Sequence, residues 1–136
     1  MDRQALIEQA AAARQRAYAP YSRMTVGAAL LCGDGRIFCG CNIENAAFAP
    51  SLCAERVAFA QAIAAGCREF RAIAVSGGPA GQPSGGAAEF APCGVCRQMM
   101  AEFCADDFVI LVGGAGSGEF TLAELLPHKF GPEQLG

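Results

Sequence analysis

Two short stretches carry side chains that do chemistry. Ala91-Pro92-Cys93-Gly94-Val95-Cys96-Arg97-Gln98 sets two thiols three residues apart directly behind a proline, and Cys53-Ala54-Glu55-Arg56 sets a thiol two residues ahead of a carboxylate. Alone, Pro-Cys-x-x-Cys is equally a buried thiol pair, a redox pair or half of a metal cage. The second stretch shifts that balance. Both segments read as helix starts, so Cys93 and Cys96, at i and i+3, share one face, while Cys53 in the first turn of another helix can meet them head on. Three thiolates suit one tetrahedral zinc ion, and three protein ligands with the fourth position left to solvent is the arrangement of catalytic zinc.

Each neighbouring residue then has a task. Helix N-termini favour negative charge and so favour thiolates. Three thiolates on a dication leave a charge of −1, which opposes the acidification of water that zinc catalysis needs. Arg56, in the first helical turn, is placed to offset this by donating to ligand sulfurs. Glu55 is tethered too closely to Cys53 to bind the metal and can instead take a proton from a water and return it to a ring nitrogen and a leaving amine. The competing reading is a closed structural site completed by Cys32, Cys39, Cys41, Cys67 or Cys104, which leaves Glu55 and Arg56 idle. Those five cysteines otherwise read as small apolar packing groups. The lone histidine, His128, reads as a surface side chain, and residues 113–118 lack the Lys-Ser/Thr that a phosphate loop requires.

The elements that must position these residues follow from the pattern. Residues 2–18 carry Leu6, Ile7, Ala10, Ala11 and Ala13 on one stripe and stop before Pro20, predicting a helix. Residues 26–32 and 37–41 flank Asp34-Gly35, predicting a hairpin. A helix over 53–66 ends at Gly66; a strand over 70–75 is followed by a loop over 77–91; a helix over 93–104 leads to a strand over 108–112. Residues 113–118 read as loop, and Thr121 caps a last helix, 122–126, that Pro127 stops. The order αββαβαβα predicts an α/β layered sheet, partly parallel.

The bulk composition bounds the partners. The 136 residues fit a single domain, 1–136, and 53% hydrophobic against 17% charged residues leaves an apolar excess that reads as subunit interface. A net charge of −3 with scattered Lys and Arg argues against nucleic acid, and no apolar run is long enough for a membrane. The N-terminal stretch lacks the zones of a secretory signal, so the expected location is the cytoplasm and the thiols are expected to be reduced.

A ligand-x-Glu element followed by Pro-Cys-x-x-Cys is a signature of zinc deaminases of nucleobases. The chain resembles the small cytidine deaminases with an all-cysteine zinc site, along nearly its whole length: "YAPYS" (18–22), "VGAALL" (26–31), "GCNIENAAF" (40–48), "CAER" (53–56), "PCGVCRQ" (92–98) and "ELLPHKF" (124–130) stand in the family's order. The resemblance implies a three-layer α-β-α fold with a mixed, mostly five-stranded sheet, and a homotetramer that converts cytidine and deoxycytidine to their uracil nucleosides in pyrimidine salvage. It implies that Cys53, Cys93 and Cys96 hold one zinc, that Glu55 shuttles protons, and that Asn42 and Glu44 grip the ribose while Ala54 and Glu55 read the exocyclic amine. As neighbours at i and i+2 of an extended segment, Asn42 and Glu44 also project together. The likeness further implies that Ala46, Phe48 and Phe130 reach a pocket from neighbouring subunits. Two positions depart from the family pattern: Met24 stands where a pocket-lining Phe is common, and Phe48 where a Tyr is common. The alternatives are a deaminase of a modified or antibiotic cytosine nucleoside and a non-catalytic structural zinc module.

Overall fold

The computed structural model describes residues 1–82, 90–113 and 118–136. Its middle layer is a five-stranded sheet in the order β2-β1-β3-β4-β5, built from β1 (Met24–Cys32), β2 (Ile37–Cys41), β3 (Phe70–Pro79), β4 (Val109–Val112) and β5 (Gly118–Thr121). β1 runs antiparallel to both β2 and β3, β3 is parallel to β4, and β4 is antiparallel to β5. The parallel pair, β3 and β4, is joined through a helix, as a crossover demands. The helices are α1 (Arg3–Ala13), α2 (Ala54–Ala64), α3 (Gly94–Phe103) and α4 (Leu122–Leu125).

Alternation along the strands divides the core. Ala29, Leu31, Ala72, Ala74 and Leu111 pack with Leu6 and Ala10 of α1, whereas Ala28, Leu30, Ile73 and Ile110 pack with Ala58 and Phe59 of α2 and Met100 of α3. Because helices cover both faces, the central strands read as continuous apolar runs. The result is the three-layer α-β-α sandwich with a mixed sheet. On the α2–α3 side, the Phe59 ring lies 5.0 Å from Phe70, 6.3 Å from Phe103 and 6.2 Å from Phe108, locking both helices to the sheet.

Three elements differ from the pattern reading. β3 runs on to Pro79 because Ser76, Gly77 and Gly78 pair with Gly27, Val26 and Thr25; a glycine pair that looks like loop is held by its neighbour's backbone. β5 occupies residues expected to be loop and cap, and at four residues it is too short to show a period. The first helix stops at Ala13 and passes through a 3-10 turn, Arg14–Arg16, after which Tyr18 bridges to Ile43. Parts of the two predicted loops, residues 83–89 and 114–117, lie outside the described residues. Among the described residues, no helix is long and apolar enough to cross a membrane.

One close approach sets the depth of the site. A Cβ on Gly40 of β2 would stand 2.4 Å from the Ala54 carbonyl oxygen and 2.6 Å from the Ala58 nitrogen, so the first turn of α2 rests directly on the strand backbone. Gly40→Ala should therefore lift that turn and cost at least about 1–3 kcal/mol, read as a lower midpoint in urea unfolding with unchanged slope. An unaltered midpoint would show that the contact is soft.

Candidate active site

The ligand geometry begins with two helix caps. Cys53 is the N-cap of α2 and Cys93 that of α3, both with extended backbone, and neither sulfur caps its own helix. The sulfurs face one another instead. Cys53 Sγ lies 4.0 Å from Cys93 Sγ, which lies 3.6 Å from Cys96 Sγ, one turn into α3. A zinc–thiolate bond of about 2.3 Å implies a tetrahedron edge of about 3.8 Å, so these separations fit three corners around one ion. Among the described residues, none of Cys32, Cys39, Cys41, Cys67 and Cys104 joins this group.

Two of the three thiols are shifted in opposite directions. Cys53 is pulled down to about 5, first by a hydrogen bond from the Cys96 thiol and then by Arg56. Cys96 is pushed up because it supplies that proton to Cys53 and is buried. Arg56 donates from its Nη2 to Cys53 Sγ at 3.7 Å and to the Ser51 carbonyl at 3.1 Å, while its buried Nε has no partner among the described residues. A site with one sulfur charged and a guanidinium against it is prepared for a dication in place of the thiol protons.

Glu55 is only 4% exposed, and burial, reinforced by the charge on Cys53, raises its pKa. It lines a cavity of about 300 Å³ together with Val26, Asn42, Glu44, Leu52 and Phe90. The Asn42 carboxamide splices itself onto the start of β1: its Oδ1 accepts from Val26 N at 2.8 Å and its Nδ2 donates to the Met24 carbonyl at 2.9 Å. One amide hydrogen and one lone pair remain for a ligand. Glu44 accepts from the backbone nitrogens of Tyr21 and Ser22 at 2.9 and 3.1 Å and from the Ser22 hydroxyl, bonds that hold its carboxyl below the usual range. It is thus ionised and fixed in direction.

The structure brings together Cys53, Ala54, Glu55, Arg56, Asn42, Glu44 and Cys93 around that cavity. It does not bring in Met24, Ala46, Phe48 or Phe130. Met24 is half-buried, and Val26 is the β1 side chain at the cavity wall. Phe48 is 74% exposed, held outward by a turn in which its own φ is +62°, a costly conformation for an aromatic residue. Phe130 is also exposed, and its carbonyl accepts from Gln98 Nε2 at 2.7 Å, which ties the segment to α3.

Pattern reading did not find Phe90 or Arg97. The Phe90 ring rests on Gly77, where a Cβ would stand 2.4 Å from its Cγ, and the only sequence signal was a glycine inside what is now β3. Arg97 donates from Nε to the Pro92 carbonyl at 2.7 Å and from Nη1 to the Leu125 carbonyl at 2.8 Å, clamping the cysteine-bearing turn to α4.

Residues 1–112 match the family described as the cytidine and deoxycytidylate deaminase zinc-binding region. The chain is 44% identical to a cytidine deaminase of Sporosarcina psychrophila, covering 99% of this chain and 96% of that one. It is 45% identical to one of Halalkalibacterium halodurans, covering 99% and 98%. A crystal structure of a Burkholderia pseudomallei cytidine deaminase superimposes with a TM-score of 0.85 at 43% identity, covering 96% of this chain and all of that one.

If Arg56 offsets the charge of the sulfurs, Arg56→Gln weakens zinc retention by about 10–100-fold in competition with a chelator. Unchanged retention would place the balancing charge elsewhere.

Proposed function

Because the chain belongs to the cytidine and deoxycytidylate deaminase family, we propose that residues 1–136 act as one deaminase domain that hydrolyses cytidine and deoxycytidine to uridine and deoxyuridine, releasing ammonia. The observation that carries this reading is the conjunction of three sulfurs at tetrahedral spacing with a buried carboxyl two residues from one of them, on the wall of one cavity. Zinc is the cofactor; held by Cys53, Cys93 and Cys96, it supplies a Lewis acid that brings the pKa of water from about 15.7 towards 7.

The side chains of the chain account for the remaining chemistry. Glu55 takes the proton of the attacking water, places it on the pyrimidine ring nitrogen as the bond to C4 forms, and delivers the second proton to the departing amine. Its burial supports this, since a raised pKa makes the carboxylate a stronger base toward the attacking water and keeps the carboxyl protonated until the ring nitrogen and the amine take the proton. Glu44, ionised and immobilised, accepts from a ribose hydroxyl, and the free hydrogen of the Asn42 amide donates to one. The backbone at Ala54, together with Glu55, faces the exocyclic amine. Met24 completes the rim beside the Asn42 amide that binds its carbonyl.

We further propose a homotetramer in which Ala46, Phe48 and Phe130 complete the pocket of a neighbouring copy. The support is the exposed apolar surface along and beside residues 43–52: Tyr18 at 57%, Tyr21 at 54%, Ile43 at 40%, Leu52 at 41% and Phe48 at 74% exposure. Strain held at Phe48 to keep its ring outward has a purpose if that ring belongs to another chain's site. Pyrimidine salvage in the cytoplasm is the role that fits a nucleoside substrate and reduced thiols.

Loss of cytidine absorbance over time tests the reading directly. The parent protein is expected to turn over cytidine, and Glu55→Gln to keep its zinc while losing about 10²–10⁴-fold in rate. Full activity in Glu55→Gln would remove the proton carrier from the mechanism.

A further inference from the structure

A second group of metal-ligating side chains lies at the other end of β1. Cys32 ends that strand, Asp34 sits in the β1–β2 turn and Cys67 lies between α2 and β3; their sulfur and carboxylate atoms all fall within 4.8 Å of one another. Val26, which lines the active-site cavity, is six residues back along β1, about 20 Å at the rise of a strand. The group is therefore separate from the Cys53 centre. The two thiols are 1% and 5% exposed, and they open onto their own cavity of about 190 Å³, lined also by Arg36, Arg68 and Glu69.

The backbone fixes all three donor-bearing segments before any ligand arrives. Cys32 N donates to the Arg36 carbonyl at 2.9 Å, Gly33 N to the Glu69 carbonyl at 2.8 Å, and Cys67 N to the Ala62 carbonyl at 3.0 Å. Arg36 straddles the donors, with Nη2 2.9 Å from Cys67 Sγ and Nε 2.9 Å from Asp34 Oδ2. This repeats the relation of Arg56 to Cys53: a guanidinium set against a sulfur that shares its site with other donors. Gly33 packs closely on Glu69, since a Cβ there would stand 3.2 Å from Glu69 Cβ and 3.4 Å from its Oε2, which sets that carboxylate beside the turn.

We propose that Cys32, Asp34 and Cys67 form a second, structural site for a thiophilic divalent cation of the zinc class, with Glu69 or water at its fourth position. Two sulfurs exclude hard ions such as magnesium, and a two-sulfur, one-carboxylate set suits a borderline-soft ion. Binding releases the two thiol protons to solvent. With water at the fourth position, two thiolates and one carboxylate around a dication leave −1, which the Arg36 guanidinium cancels; with Glu69 there the −2 is met by Arg36 and Arg68, both on the cavity wall. The ion staples the β1–β2 turn to the connection between α2 and β3. Because it binds the folded chain only, it raises stability with ion concentration.

The test is a metal count on the intact holoenzyme. Parent protein, Cys32→Ser/Cys67→Ser and Asp34→Asn are equilibrated with excess zinc, passed through gel filtration and analysed for zinc per chain. The parent is expected to carry two ions. The double variant is expected to carry one and to retain cytidine turnover. Asp34→Asn, which leaves both buried thiols in place, is expected to lose its second ion to a chelator concentration that the parent withstands. One ion per chain in the parent, or two in the double variant, overturns the proposal. Should the double variant fail to fold, the parent count and the Asp34→Asn comparison decide it alone.

Discussion

Everything at the site depends on holding three sulfurs within one tetrahedron edge of each other while keeping them deprotonated. Isolated thiols satisfy neither condition near neutral pH. The chain helps by placing Cys53 and Cys93 at helix N-caps, where unpaired backbone N–H groups favour negative charge, and by setting the Arg56 guanidinium against Cys53. The hydrogen bond with Cys96 and the Arg56 guanidinium pull Cys53 down, while that same bond and burial push Cys96 up, so a dication has to displace the Cys96 proton.

Such precision has to come from the packing below. The first turn of α2 sits on the bare backbone of Gly40, and the α2 and α3 helices are keyed to the sheet by Phe59, Phe70, Phe103 and Phe108. Arg97 then ties the Cys93 turn to α4, and Gln98 ties α3 to the Phe130 segment. The cavity wall is anchored the same way: Asn42 and Glu44 are bound to backbone, so their side chains keep little freedom to lose. A side chain that both completes a strand edge and faces the cavity is hard to alter without losing fold and function together.

The candidate site was more legible in the sequence than the architecture. Cys53, Cys93, Cys96, Glu55 and Arg56 stand out through residue type and spacing, and the structure brings these side chains together. Helices and long strands followed from period, but β5 and the Gly77-Gly78 end of β3 did not, because their pairing is decided by neighbouring strands that a local window does not contain. Phe90 is silent in the sequence for a related reason: an aromatic residue acquires its role only when a distant Gly77 offers it a seat. Cys32 and Cys67 read as packing groups because they are far apart in the chain, and only the meeting of β1 with the start of β3 sets them beside Asp34.

The apolar excess of the composition finds its counterpart in the exposed Tyr18, Tyr21, Phe48 and Phe130, side chains a lone chain leaves in water. X-ray absorption at the zinc edge, on Cys32→Ser/Cys67→Ser protein loaded with one zinc per chain, tests most directly whether three sulfurs surround an ion with one corner open. Three sulfur neighbours at about 2.3 Å and one lighter atom are expected. A shell of four sulfurs, or of fewer than three, would contradict the account.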